Sequence, residues 1–146
     1  MNSKFSSCAH ALAVSSVVLM SAAFSANAGA VTRAEYSKEK DRIDHEYKTA
    51  KTQCKALTGN EKDVCKAEAK AAERRADAKA EADYKGTPKA KAALRKVGAE
   101  ADYLVARAKC GVQTGAEKST CINNAKAAKD TALSDANASV GVSSGK

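Results

Sequence analysis

Two cysteine pairs of identical internal spacing, Cys54/Cys65 and Cys110/Cys121, constrain this chain more than any other feature, and they are offset by 56 residues (54 to 110, 65 to 121). Nearly the same words lie inside them, Thr58-Gly59-Asn60-Glu61-Lys62 and Thr114-Gly115-Ala116-Glu117-Lys118. With that offset, residues 47–82 match residues 103–138 at 15 of 36 positions, including Tyr47 with Tyr103 and Ala69–Ala72 with Ala125–Ala128. Alanine and lysine recur by composition; the cysteines, the tyrosines and the Thr-Gly-x-Glu-Lys words do not. The chain is therefore read as one structural unit written twice.

The first residues say which chemistry the cysteines meet. Lys4 precedes a mostly apolar run from Ala9 to Met20, and Ala26-Asn27-Ala28 places small residues where a signal peptidase reads. The run falls short of the roughly 20 apolar residues of a membrane span. Residues 1–28 are expected to be a secretory signal peptide, and the product to be a soluble periplasmic protein. Removal leaves 118 residues (146 − 28), lowers the formal charge from +8 to +7 with the loss of Lys4, and discards Cys8. Four cysteines then remain in a compartment that permits disulfides.

The remainder contains no Trp or Phe, one His (His45), one Pro (Pro88) and few Leu, Ile or Val; alanine carries most of the apolar count. Alanine is the best helix former but buries little area, and stabilisation scales at about 25 cal/mol per Å2 of apolar surface. Helix is expected in abundance over a thin core, a combination that gains from covalent staples.

Apolar periodicity marks four segments of roughly 22–25 residues, or about 33–38 Å each. Thr32 and Glu35 form a capping box. Tyr36, Ile43, Tyr47, Ala50, Cys54 and Leu57 follow on one stripe, and the turn at Thr58–Glu61 stops that helix. The next begins with either Thr58 capping toward Glu61 or Asn60 toward Asp63, and its stripe runs Cys65, Ala69, Ala72, Ala76, Ala80. Gly86-Thr87-Pro88 closes it and starts the third, with Ala90, Leu94, Val97, Ala101, Leu104 and Ala108 as its stripe. The last stripe is Cys121, Ala125, Ala128, Ala132, Ala136.

In one continuous helix Cys54 and Cys65 would stand about 16 Å apart at 1.5 Å per residue, beyond the roughly 7 Å between Cα atoms that a disulfide tolerates. A fold-back at Gly59 sets them opposite one another, as Gly115 does for Cys110 and Cys121. Pairing within each repeat is favoured over pairing between repeats or subunits. The expected fold is all-α: two duplicated antiparallel helical hairpins, residues 29–85 and 89–138, joined by a turn at 86–88 and followed by a flexible tail at 139–146. The hairpins can pack as an up-down-up-down four-helix bundle, lie as an extended pair, or bridge two chains.

No catalytic constellation emerges. Ten-residue gaps between cysteines are not the short spacing of common zinc sites, and the lack of Cys-x-x-Cys excludes a thioredoxin-type centre. His45 has Asp41 four residues before it, but no nucleophile or phosphate-binding loop accompanies them. The chain is expected to be non-enzymatic and without cofactor or metal. Lys48, Lys51, Lys55, Lys62, Lys66, Lys70, Arg74 and Arg75 form a basic band, diluted by Glu61, Asp63, Glu68 and Glu73. Positive charge attracts anions; export takes nucleic acid out of reach and leaves anionic envelope surfaces or envelope proteins as partners.

The words Ala34-Glu35-Tyr36, Asp41-Arg42-Ile43, Tyr47-Lys48-Thr49-Ala50-Lys51 and the run from Cys54 to Lys70 resemble small exported Ala/Lys-rich helical proteins of beta-proteobacteria. These are sometimes labelled TolA-like or cell envelope biogenesis proteins. The resemblance implies an envelope setting and supplies no catalytic residues. A periplasmic helical protein making envelope or protein contacts is the leading expectation; a metal- or solute-binding stress protein is the alternative.

Overall fold

The computed structural model describes residues 30–141; the expected signal segment and residues 142–146 lie outside them. The described chain forms four helices: α1 (Arg33–Gln53), α2 (Gly59–Lys85), α3 (Pro88–Lys109) and α4 (Gly115–Gly141). Short 3-10 turns, Cys54–Ala56 and Cys110–Val112, end α1 and α3. No strand occurs among the described residues.

Local sequence accounts for each boundary. Thr32 and Glu35 make the expected capping box, with the Thr32 N–H donating to Glu35 Oε2 (2.8 Å) and Glu35 N–H donating to Thr32 Oγ1 (3.2 Å). Gly86 closes α2 in the left-handed conformation, φ 63°. Thr87 then accepts from Ala90 N–H, and Pro88 takes the first helical position.

The two hairpin turns repeat bond for bond. Leu57 N–H donates to Cys54 O and Gln113 N–H to Cys110 O; Lys62 N–H donates to Thr58 O and Lys118 N–H to Thr114 O. Gly59 (φ 52°) and Gly115 (φ 53°) make the reversal, each with open space around the missing Cβ. Backbone conformation, not crowding, requires glycine there. Neither expected cap of α2 forms: Thr58 makes no side-chain cap bond. The left-handed residue that follows it turns the helix start away, and Asn60 points instead toward Gly111.

Disulfides Cys54–Cys65 and Cys110–Cys121 clamp the closed ends, with Cα atoms 5.6 and 5.8 Å apart. The all-α double hairpin is thus as expected, with both clamps at one end of an up-down-up-down order. One boundary moves. The run from Leu133 to Val140 contains no Gly or Pro, so α4 continues to Gly141, three residues into the segment expected as a tail.

How the hairpins associate follows from the alanines. α1 packs on α2, α2 on α3 and α3 on α4, while no packed interface joins α1 to α3, α1 to α4 or α2 to α4 among the described residues. Helical geometry puts Ala69 and Ala80 of α2 on the Cys65 side, against α1, and Ala67, Ala71 and Ala82 on the opposite side, against α3. On α3, Ala90 and Ala101 face α2, whereas Ala92 and Ala99 face α4, on the same side as Cys110 just past the helix end. Each central helix therefore carries two buried stripes about half a turn apart. A helix with two such sides belongs in a row, not around a shared centre, and the hairpins lie side by side.

Polar contacts reinforce the row. Lys40 pairs with Asp77 between α1 and α2 (2.5 Å). Arg74 pairs with Glu100, Arg75 with Asp102 and Lys109 with Glu68 across the α2–α3 seam. All are exposed enough to contribute only about 0–1 kcal/mol apiece. Tyr36 stacks on Tyr84 at 4.7 Å and closes the first hairpin at the end away from its disulfide.

Candidate functional site: a basic groove beside the hairpin junction

A row of helices leaves two broad faces, and the charges on them differ. On one face, near the disulfide end, a groove of about 580 Å3 spans three helices. α2 contributes Asn60, Asp63, Lys66 and Lys70; α3 contributes Leu104, Arg107 and Ala108; α4 contributes Lys118 and Ile122. Ala67 and Ala108 lie between the charged groups, and Gly111 lines the groove beside the Asn60 carboxamide.

Four cations thus border the groove against one carboxylate, Asp63. Lys66, Arg107 and Lys118 make no ion pair among the described residues. Lys70 is held by Glu73 at 2.5 Å, and that hydrogen bond raises the lysine above its ordinary value, so it stays charged throughout the neutral range. Its ammonium also stands 5.1 Å above the Tyr47 ring, a cation–π contact that fixes its position further.

The other face has a groove of about 490 Å3 between α2 and α3, but its charges cancel. Arg75 is engaged by Asp102 and Lys109 by Glu68 at 3.4 Å. Between α3 and α4 a smaller cleft of about 220 Å3 is lined mostly by alanine, with Lys129 over the Tyr103 ring at 4.9 Å. Of these three clefts, the first is the one lined by several cations without an ion pair.

The basic band read from the sequence is dispersed by the fold. Lys66 and Lys70 enter the groove. Lys48 is paired with Asp44, and Lys51 lies 5.7 Å over the Tyr47 ring. Lys55 sits exposed on the first 3-10 turn, and Lys62 is half-buried at the start of α2 without an ion pair. Arg74 and Arg75 are taken up by Glu100 and Asp102 as ties between the hairpins. Arg107 and Lys118 were not in the band. The repeat carried a signal for both, because the 56-residue offset maps Lys51 onto Arg107 and Lys62 onto Lys118.

His45 is exposed on α1 with no side-chain bond among the described residues. The cysteines at 54, 65, 110 and 121 are in disulfides, and no three His, Cys, Asp or Glu side chains converge as a metal site among the described residues. No described helix is long and apolar enough to cross a membrane.

Fold and groove together define a disulfide-clamped double helical hairpin with a basic concavity over its junction. No protein-family model matches the sequence, and neither the curated proteins nor the solved structures yield a match.

Proposed function

We propose that this chain is a non-enzymatic protein, exported to the periplasm, that contacts anionic surfaces of the envelope through the groove between Lys66, Lys70, Arg107 and Lys118. The observation that carries this reading is that Lys66, Arg107 and Lys118, none of them in an ion pair among the described residues, line one groove with Lys70 where Asp63 is the one carboxylate. Cations left without protein partners on a concave surface favour an external anion. The resemblance of the cysteine-turn words to exported envelope proteins supports the same setting. The metal- or solute-binding alternative has less support, since the thiols that would make a soft site are oxidised.

The test is binding of the oxidised protein to lipopolysaccharide micelles and to phosphatidylglycerol vesicles across a salt series. Retention should fall steeply between about 50 and 300 mM salt as the Debye length shortens. The triple variant Lys66→Glu, Arg107→Glu, Lys118→Glu should lose it, and Lys38→Glu, Lys79→Glu, Lys91→Glu should not. Equal losses in both variants would reduce the interaction to net charge and remove the groove from it. No binding to either surface would discard the anionic-surface reading.

A further inference from the structure

The seam between the hairpins has a sequence logic that the duplication exposes. α3 lays Leu94, Val97, Ala101 and Leu104 toward α2, and three ion pairs flank that stripe: Arg74 with Glu100, Arg75 with Asp102, and Glu68 with Lys109. Shifted by 56 residues, this seam falls on the two free edges of the row. α4 stands in the place of α2, and α1 in the place of α3. A second copy added head-to-tail would therefore set its α1 against this chain's α4 as α3 lies against α2.

Residue by residue, the edges refuse that contact. The equivalents of Leu94, Val97, Ala101 and Leu104 on α1 are Lys38, Asp41, His45 and Lys48, all exposed. Burying them against alanine would strip water from Lys38 and Asp41, which have no ion-pair partner among the described residues, and from the Lys48–Asp44 pair. The ion pairs are lost as well. Arg74 and Glu100 become Asp130 and Asp44; Arg75 and Asp102 become Thr131 and Glu46; Glu68 and Lys109 become Asn124 and Gln53. One attraction turns into carboxylate against carboxylate and two disappear. α4 nevertheless keeps Ala127 and Ala138 where α2 has Ala71 and Ala82, while Asn123 stands in the place of Ala67, so the alanine stripe survives at two of its three positions.

We propose that the outer sides of α1 and α4 are terminators that prevent a second copy of this chain from continuing the helical row. Arrays of stacked repeats require polar outer faces on their terminal units, and like charge set against like charge excludes a wrong partner. Here both devices act at the two ends of a row of only two units.

The test restores the apolar stripe on α1 and the two arginines on α4, with the loss of the Lys48–Asp44 pair. One variant carries Lys38→Leu, Asp41→Val, His45→Ala and Lys48→Leu; a second carries Asp130→Arg and Thr131→Arg. Both sets lie on exposed positions, and circular dichroism of the oxidised proteins confirms that each folds. In sedimentation velocity at 150 mM salt the unaltered protein and the α4 variant should run as monomers. A mixture of the two variants should give a one-to-one complex at a concentration at least tenfold below any self-association of the α1 variant, weakening in 1 M salt. Head-to-tail oligomers of the unaltered protein, joined by α4-to-α1 cross-links, would overturn the proposal. So would a mixture of two folded variants that stays monomeric, or an α1 variant that self-associates as strongly as the mixture.

Discussion

The Asn60 carboxamide oxygen occupies the space that a Cβ on Gly111 would need, the two points lying 1.9 Å apart. One residue belongs to the first hairpin and the other follows α3 in the second, so the contact crosses the junction beside the basic groove. The duplication does not repeat it: Gly111 corresponds to Lys55 and Asn60 to Ala116. The turn itself accepts a side chain, as Lys55 shows on the equivalent 3-10 segment. Glycine at 111 answers its neighbour and not its own backbone.

Replacing Gly111 with alanine should consequently be mild. Asn60 makes no hydrogen bond among the described residues that its displacement would break, and alanine restricts the unfolded chain in compensation. The expected change in urea unfolding is within about 1 kcal/mol. Asn60→Ala should relieve what penalty remains, making the double variant more stable than the sum of the single changes. Strict additivity would place the two residues out of contact.

Gly59→Ala and Gly115→Ala should each cost about 1–2 kcal/mol, because the backbone there is left-handed and a Cβ strains it despite open space. Asparagine at either site should cost less than alanine. A cost that is equal for both substitutions would show that something other than backbone conformation decides the position.

The disulfides should matter more. Each closes a loop of sequence separation 11, for which constraint of the unfolded chain is worth about 3 kcal/mol. Cys54→Ser with Cys65→Ser should lower the melting temperature markedly while keeping helical circular dichroism, and reduction of the parent should approach the effect of removing both bridges. An unchanged melting temperature would show that the turns hold without their clamps.

Stability against pH should form a broad plateau with distinct edges. Glu35 is held below the ordinary 4.5, first by the Thr32 backbone N–H and then by its hydroxyl. Glu39 and Glu81 are lowered chiefly by hydrogen bonds from Arg42 and Lys85. Groups depressed on folding stabilise above their unfolded value, and that contribution disappears as pH falls through the folded one, so acid loss should begin near 4.5 and deepen below it. Lys40, raised above 10.5 chiefly by its hydrogen bond to Asp77, works the other way. Its contribution is complete below 10.5 and goes as pH rises through the folded value. Glu35→Gln should shallow the acid edge and leave the alkaline edge in place; an unchanged acid edge would remove the capping box from the account.

Legibility in the sequence followed the contrast between residue types. Cysteines and Thr-Gly turns are rare against this background, and they located the hairpins and their clamps. The stripe on α3 through Leu94, Val97 and Leu104 was visible because larger side chains mark it. Its second stripe, through Ala92 and Ala99, was not, nor was that of α2 through Ala67, Ala71 and Ala82. Buried alanine looks like exposed alanine in a chain full of both, and with those stripes hidden the row could not be told from a bundle. The same blindness affected the groove. Lys66 and Lys70 were read beside Arg74 and Arg75 as neighbours in sequence, but only the hairpin order decides which cations meet an acid across the seam.

The two-sided burial of α2 and α3 also governs how the molecule comes apart. Where every interface joins successive helices, free energy is held pairwise along the row and no central reservoir protects the ends. Opening should begin at an edge and travel inward, α4 peeling from α3 or α1 from α2 while α2 and α3 remain joined. Amide hydrogens of α2 and α3 beside Ala71 and Ala101 should therefore exchange last, and those near the open ends of α1 and α4, away from the disulfides, first.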